Sequence, residues 1–416
     1  MNVQHPVKAK GFLSPSAGHT LLELMVAIIV GLLLVLGAFG VLAAFEGNKR
    51  TTTALNDALQ SGNFGLFAMD KLIRSAGSGF ARNAAISSYG CGLNFTSVDP
   101  VTSLPSTTVT SGGIPTLPAP FSTTLSSAGV TTLRLAPAII FPAATTVDGA
   151  PNTSDVVMLM LGGGGYGEVP IPITGSNGPT VESTIGFVPG EWVLVTNSSG
   201  VGDCMITRVG PSFAGSSADN LFLPLTDAAV GSAANLLAVN SHVVALGKGP
   251  SANFTMYGVG KRTSADNNAL QSLDLLNSKY DTAESVGDDI VMMRAVYEVQ
   301  PVSTDPLTWT NPAKDVSING NVYSYAPADL MSGLPAADKA IKSIRAIRLA
   351  MIVRAPINEK NTTNLLQKSN GASLAIFDSL ATAPQANAVA FSWSVPDGNF
   401  RYRVLEVTIP IRNELL

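Results

Sequence analysis

Two periodicities divide the chain. From Leu21 to Phe45 nearly every position is apolar, and from Leu24 to Phe45 no residue is charged. Beyond that run the apolar positions thin to a single stripe, Leu55, Leu59, Gly62, Leu66, Met69 and Ile73, at steps of 4, 3, 4, 3 and 4. Such spacing is the repeat of an amphipathic helix with one packed face. Ser75-Ala76-Gly77-Ser78-Gly79 supplies the stop. The pattern therefore predicts one helix over 21–75, about 80 Å long at roughly 1.5 Å per residue. The charge-free part alone measures about 33 Å, enough to cross the hydrocarbon of a bilayer. Gly31, Gly37 and Gly40 lie inside it. They serve either close helix packing or local loosening of the helix.

After Gly79 the pattern becomes that of short strands. Asp155 to Leu161 is a continuous apolar run suited to a buried strand. Glu191–Thr196 and Cys204–Val209, separated by Asn197-Ser198-Ser199-Gly200, predict a hairpin. In 289–299, Val291, Met293, Ala295, Tyr297 and Val299 share a face, with Arg294 and Glu298 on the other. In 344–354 the apolar face is Ile347, Leu349, Met351 and Val353, and in 401–412 it is Leu405, Val407, Ile409 and Ile411. These three alternate as antiparallel strands with one packed and one more polar face should. Residues 95–150, 210–285 and 302–340, rich in Ser, Thr, Ala and Pro, read as elaborated loops.

Composition narrows the class. Of 416 residues 46% are hydrophobic and 13% charged, enough apolar content for a sizeable core. Net charge is −4 without Lys/Arg clusters, so nucleic-acid binding lacks its electrostatic footprint. Two cysteines, Cys91 and Cys204, with three histidines, cannot supply a four-ligand zinc site of the usual kind. If the domain lies outside the cytoplasm, one disulfide is the natural reading, closing a loop of about 113 residues. Two separate buried thiols are the alternative.

Three catalytic or binding signals are set aside. Gly162 to Gly167 satisfies GxGxxG, but Glu168-Val169-Pro170-Ile171-Pro172 cannot continue as the helix a dinucleotide site requires. His242 has no nucleophile motif around it. Asp288-Asp289 reads as a solvated turn opening a strand rather than a calcium site. The chain is expected to be no enzyme, with no metal and no cofactor.

Glu23 is the one acidic residue in the apolar segment. A signal peptide would have a shorter apolar core, and Val41-Leu42-Ala43 would be its small-residue cleavage site. A plain membrane anchor explains the length but not the carboxylate. Gly18-His19-Thr20-Leu21-Leu22-Glu23 resembles the processing site of type IV prepilins. That resemblance implies cleavage after Gly18 by a prepilin peptidase, methylation of the amino group of His19, and Glu23 as the fifth mature residue. His19 stands where members of the family usually carry Phe or another apolar residue. Lys8 and Lys10 on one side are matched by Lys49 and Arg50 on the other, so an amino terminus inside follows from the resemblance and not from charge.

Ser61-Gly62-Asn63-Phe64-Gly65-Leu66-Phe67-Ala68-Met69-Asp70-Lys71-Leu72-Ile73-Arg74-Ser75-Ala76-Gly77 resembles the stalk end of PilW-type minor pilins. The segments Gly190–Val195, Ile344–Leu349 and Arg401–Asn413 resemble their strands. The resemblance implies an α+β, type IV pilin-like fold, a long amino-terminal helix packed on an antiparallel sheet domain with long loop insertions. Residues 1–18 would be the leader, 19–79 the pilin helix (transmembrane 24–45, stalk 46–75) and 80–416 the globular domain. It implies a minor pilin that helps initiate pilus assembly at or near the tip, waiting as a single-pass protein of the inner membrane with a periplasmic domain. The implied partners are other minor pilins, the major pilin, the prepilin peptidase, the assembly platform, a tip adhesin and membrane lipid, with adhesion and twitching motility as the associated processes. Glu23 would pair with a neighbour's amino terminus. A type II secretion pseudopilin of the J type, or an anchored adhesive module, are the alternatives.

Overall fold

A computed structural model describes residues 20–80, 88–95, 117–148, 151–163, 169–175, 180–197, 203–215, 221–225, 239, 241–276, 282–358, 371–380 and 389–411. Helix α1 runs Leu21–Ser75, the span that the hydrophobic pattern predicts. The chain divides into two compact units, residues 1–53 and 54–416, each described by itself.

In the first unit the apolar side chains of α1 have no cover. Val30 is the least exposed of its large apolar residues at 49% and Leu21 the most at 77%. Exposure all round is the mark of a helix made for an apolar surrounding rather than for one packed face.

In the second unit the rest of α1 seats on β-structure. The buried line is Ala54, Ala58, Gly62, Gly65, Met69 and Ile73. The expected stripe is therefore displaced toward the small residues: Leu55, Leu59 and Leu66 flank the contact, half-buried. Close approach is the reason. A Cβ on Gly62 would lie 2.5 Å from Val353 Cγ1, and one on Gly65 2.8 Å from Leu270 Cδ2. The helix ends as Gly77 turns left-handed at φ 81° and donates its N–H to the Met160 carbonyl at 2.9 Å.

Five sheets follow among the described residues, three large ones and two two-stranded pairs. In chain order the strands are β1 (Gly92–Phe95), β2 (Ala138–Thr146), β3 (Thr153–Leu161), β4 (Ile171–Gly175), β5 (Thr180–Val181), β6 (Trp192–Thr196), β7 (Asp203–Arg208), β8 (His242–Gly247), β9 (Asn253–Gly260), β10 (Ala269–Asp274) and β11 (Glu284–Asp288). Then come β12 (Ile290–Val299), β13 (Thr308–Thr310), β14 (Val316–Ile318), β15 (Asn321–Tyr323), β16 (Ile344–Arg354), β17 (Ser373–Ile376), β18 (Phe391–Ser394) and β19 (Tyr402–Pro410). Short helices α2 (Thr124–Ser127), α3 (Pro327–Leu330) and α4 (Pro335–Lys342) interrupt them. The two-stranded pairs are β14-β15 and β17-β18.

The first sheet, β11-β10-β9-β3-β2, and the second, β13-β12-β16-β19, are antiparallel throughout. The third, β1-β7-β6-β8-β4-β5, contains the expected β6–β7 hairpin pairing, Trp192 opposite Arg208, and one parallel pair, β1 with β7. Ser198 to Gly200 of its turn lie outside the described residues. Met69 and Ile73 join Leu349, Met351 and Val353 of β16 and Leu159 of β3 in one large core.

Two expectations are corrected by this arrangement. Residues 95–150, 210–285 and 302–340 are not merely loops, since they hold β2, β8, β9, β10, β13, β14, β15 and α2 to α4. Strand β9 is central, yet its sequence NFTMYGVG shows no clear alternation, because two positions must lack a side chain. A Cβ on Gly258 would meet Val156 Cγ2 at 2.7 Å, and one on Gly260 would meet Pro120 Cβ at 2.5 Å. Second, the outer face of β12 and β16 is not polar. Val291, Met292, Val296, Ala350 and Ile352 form a separate core with Trp393, Leu374 and Ile376 of the β17–β18 hairpin, which covers that face. Val291 thus points away from Met293, against the expected alternation, because the ladder slips between Ile290 and Met292 and leaves Val291 as the extra residue of a bulge.

Candidate functional site

The processing residues Gly18 and His19 lie outside the described residues. Glu23 is exposed in the first turn of α1. Its N–H donates to Thr20 Oγ1 at 3.3 Å and to the Thr20 carbonyl at 2.9 Å. Thr20 is therefore the N-cap, and Thr20-x-x-Glu23 has the spacing of a capping box. The carboxylate also sits where the partial positive charge of the helix dipole favours it. This local role was legible in the sequence as Thr followed three residues later by Glu.

The seat of the helix is built from three strands of two sheets. Val353 of β16 and Leu405 of β19 close on Gly62, and Leu270 of β10 closes on Gly65. Ser61 Oγ donates to the Asp288 carbonyl at 2.8 Å, tying the helix to the end of β11. Asp289, alone between β11 and β12, turns at φ 61°, a conformation that Asp tolerates better than most residues. Burial raises its carboxyl above the usual range, against the opposing charge of Arg354. So Asp288-Asp289 is the corner where the chain leaves the first sheet for the second.

The two sheets are locked by a buried polar cluster that the pattern of apolar residues does not register. Asp155 of β3 and Arg294 of β12 form an ion pair with side chains 4% and 11% exposed. Asp155 also accepts the N–H of Ala295 and that of Ala143, each at 2.9 Å. Ser154 Oγ accepts the Met293 N–H at 2.9 Å. Arg294 lies over the ring of Phe391 at 4.1 Å, joining the hairpin cover to the same cluster.

Cys91 and Cys204 are joined, with their Cα atoms 5.7 Å apart. Both are buried, at 3% and 0% exposure. Cys204 stands opposite Leu93 in the parallel β1–β7 pair, so the bond secures the segment after α1 to the third sheet. In the chain-entropy model a loop of this length contributes about 4–5 kcal/mol. Full-length protein denatured without reductant should therefore show no free thiol, and reduction should lower its unfolding free energy by about 2–5 kcal/mol; two thiols titrating before reduction would contradict the bond.

Of the signals set aside, Gly162 and Gly163 are followed, after residues 164–168 that lie outside the described set, by strand β4 and not by a helix. His242 opens β8 opposite Thr196 and Pro172. Among the described residues no three His, Cys, Asp or Glu side chains are gathered as a metal site.

A long apolar helix whose later part is seated on antiparallel sheets defines the class: an α+β, pilin-like protein. Residues 13–39 match the model of the prokaryotic N-terminal methylation motif, a stretch that contains Gly18, His19 and Glu23. Residues 256–413 match the model of the type IV pilus-assembly protein W. These two matches support a PilW-type type IV pilin. The second match begins within β9 and ends beyond β19, so the family's likeness reaches into a region that the loop-rich composition of 210–285 concealed. No curated protein and no solved structure matches the chain. Both families are structural components of pili, and the apolar helix with its motif fits a single-pass membrane anchor in that system.

Proposed function

We propose that the chain is a minor pilin, a structural subunit that primes type IV pilus assembly and takes its place at or near the fibre tip. Residues 1–18 are its leader, 19–79 its helix and 80–416 its globular domain. A prepilin peptidase cuts between Gly18 and His19, and the new amino group of His19 is methylated. Until then the helix holds the subunit in the inner membrane, with the globular domain in the periplasm. The assembly platform then draws it into a bundle with other minor pilins and the major pilin. A tip adhesin is the partner expected beyond it.

The observation that carries this reading is the register of Gly18, Glu23 and a charge-free helix exposed on all sides, joined to a PilW-type sheet domain. On leaving lipid for a bundle of similar helices, the apolar side chains exchange one apolar surrounding for another, so they do little to choose a neighbour. The polar groups choose. A carboxylate within an apolar bundle is penalised strongly unless paired, and the amino group of a neighbour's His19 is a positive charge carried by every processed subunit. Glu23 then has two successive roles, a favourable charge at the first turn of its own helix and partner of the next.

Fibres sheared from cells and analysed by mass spectrometry should contain this chain beginning at N-methyl-His19, in low amount. Glu23→Ala should insert into the membrane as before yet be depleted from the fibres by about tenfold or more. Fibres without the chain, or with full activity from a Gly18 variant that is not cleaved, would overturn the reading in favour of an anchored surface module. Recovery in a secretion apparatus and not in pili would favour the J-type pseudopilin.

A further inference from the structure

Each of the three large sheets has two edges, and among the described residues all but one are blunted. Edge strands β1, β5, β11 and β13 are four, two, five and three residues long, and shortness is one defence against stray pairing. Edge strand β2 is longer, but Pro142 lies in it and its ladder breaks between Phe141 and Thr145. The remaining edge is β19. Its nine residues pair with β16 from end to end without a shift of register.

The hydrogen bonds just beyond its ends fix which way its backbone faces. Ala355 N–H donates to the Arg401 carbonyl, and Ile411 N–H to the Arg345 carbonyl, each at 2.9 Å. Odd-numbered residues of β19 therefore bond to β16, and even-numbered ones turn their N–H and C=O groups outward. The N–H groups of Tyr402, Val404, Glu406 and Thr408 meet no acceptor among the described residues. Pro410 stands in the same phase, where a missing N–H costs the ladder nothing. The edge is also open at its side chains: Glu406 and Thr408 are exposed, and Arg403, Val404, Leu405 and Val407 only half-buried.

We propose that the free edge of β19 takes an extended segment of another protein chain as an added antiparallel strand, with apolar residues opposite Val407 and Leu405 and an acidic residue opposite Arg403. Outward N–H and C=O groups in alternation specify an extended backbone as the guest. The side chains specify its sequence. Arg403, Leu405, Val407 and Ile409 share the face that meets the main core. Arg403 has no ion-pair partner among the described residues. On the other face Glu406 is already engaged by Arg348 at 2.7 Å and by the Phe377 N–H at 2.8 Å. A second copy of β19 is the wrong guest. Paired antiparallel through this edge, even residues stand opposite even ones, and the strand's one acid, Glu406, never comes to the face of Arg403. The inference stands on the sheet edge alone and does not depend on the pilus reading.

The test is fluorescence anisotropy of a labelled peptide, Thr-Val-Thr-Val-Thr-Glu-Thr, titrated with the full-length protein in detergent micelles. It should bind, and a peptide with Lys in place of Glu should bind about fivefold more weakly, as an attractive cross-strand pair becomes a repulsive one. N-methylation of the two central Thr residues removes N–H groups aimed at the edge and should abolish binding. N-methylation of the two Val residues, whose N–H groups point away, should not. Arg403→Glu should reverse the charge preference, and a gain of binding by the Lys peptide cannot come from misfolding. Hydrogen exchange read residue by residue, without peptide, should find the N–H groups of Val404, Glu406 and Thr408 unprotected and those of Arg403, Leu405 and Val407 protected. Protection of both sets in dilute protein would mean that a segment of this chain already covers the edge. Protection that grows with protein concentration would mean that a second copy does. Either result overturns the proposal, as does equal binding of the Glu and Lys peptides or indifference to which residues are N-methylated.

Discussion

Asp155→Ala should cost about 3–5 kcal/mol of unfolding free energy, the usual penalty for removing one partner of a buried ion pair. Three groups lose their acceptor at once: the guanidinium of Arg294 and the N–H groups of Ala295 and Ala143. Ala143 is the telling one. It sits at φ 54° in the irregular stretch of β2 between Phe141 and Thr145, where ladder pairing is broken, so no strand can take its N–H. The N–H groups of Met293 and Ala295 go to Ser154 and Asp155 of the other sheet in place of a neighbouring strand. The cluster thus satisfies backbone groups that the ladders leave over, and these cannot be silently lost. Urea titration of the full-length protein in detergent measures the effect. The double variant Asp155→Leu/Arg294→Met should lose less than Asp155→Ala, since no unpaired charge stays buried, yet it should still show the cost of the Ala295 and Ala143 N–H groups left without an acceptor. A loss under about 1 kcal/mol for Asp155→Ala would show that the sheets are held by apolar packing alone.

Gly62→Leu should destabilise the second unit by about 1–3 kcal/mol or more through overpacking. The first added atom already collides, 2.5 Å from Val353 Cγ1 and 2.7 Å from Leu405 Cδ1. Val353 cannot step aside cheaply, because a β-branched side chain has little χ1 freedom and this one is fully buried in the main core. Gly62→Ala makes a sharper test of mechanism. On an open helix surface alanine would be favoured by about 1 kcal/mol, so a net loss at this position isolates the steric term. The measurement is the unfolding free energy of both variants, together with protease susceptibility of the helix after residue 54. A stabilised Gly62→Ala would mean that the helix does not approach the sheet so closely.

Legibility varied with how local the cause was. Helix α1 was readable to its ends because both its apolar half and its stop are written in consecutive residues. Strands β12, β16 and β19 were readable because their alternation is strong, even though the cover over their outer face was not foreseen. That cover comes from β17 and β18, which lie between β16 and β19 in sequence and are only four residues long each. Strand β9 was unreadable for the opposite reason: its glycines satisfy neighbours more than a hundred residues away in the chain, Phe121 and Pro120. The motif around Gly18 was legible as a pattern, and its match over 13–39 rests on the same residues.

By itself the sequence determined the long helix, the change from all-round to one-sided apolar character, and the carboxylate at Glu23, because each depends on residues within a few turns of one another. It also narrowed the cysteines to two alternatives. The tertiary structure decided between them, moved the packed helix face onto Ala54, Ala58, Gly62 and Gly65, and brought Asp155 to Arg294 across 139 positions. Those outcomes turn on volume and on unpaired backbone groups. Whether a side chain is absent to let a strand approach, or charged to receive a stray N–H, is defined only by what stands opposite it.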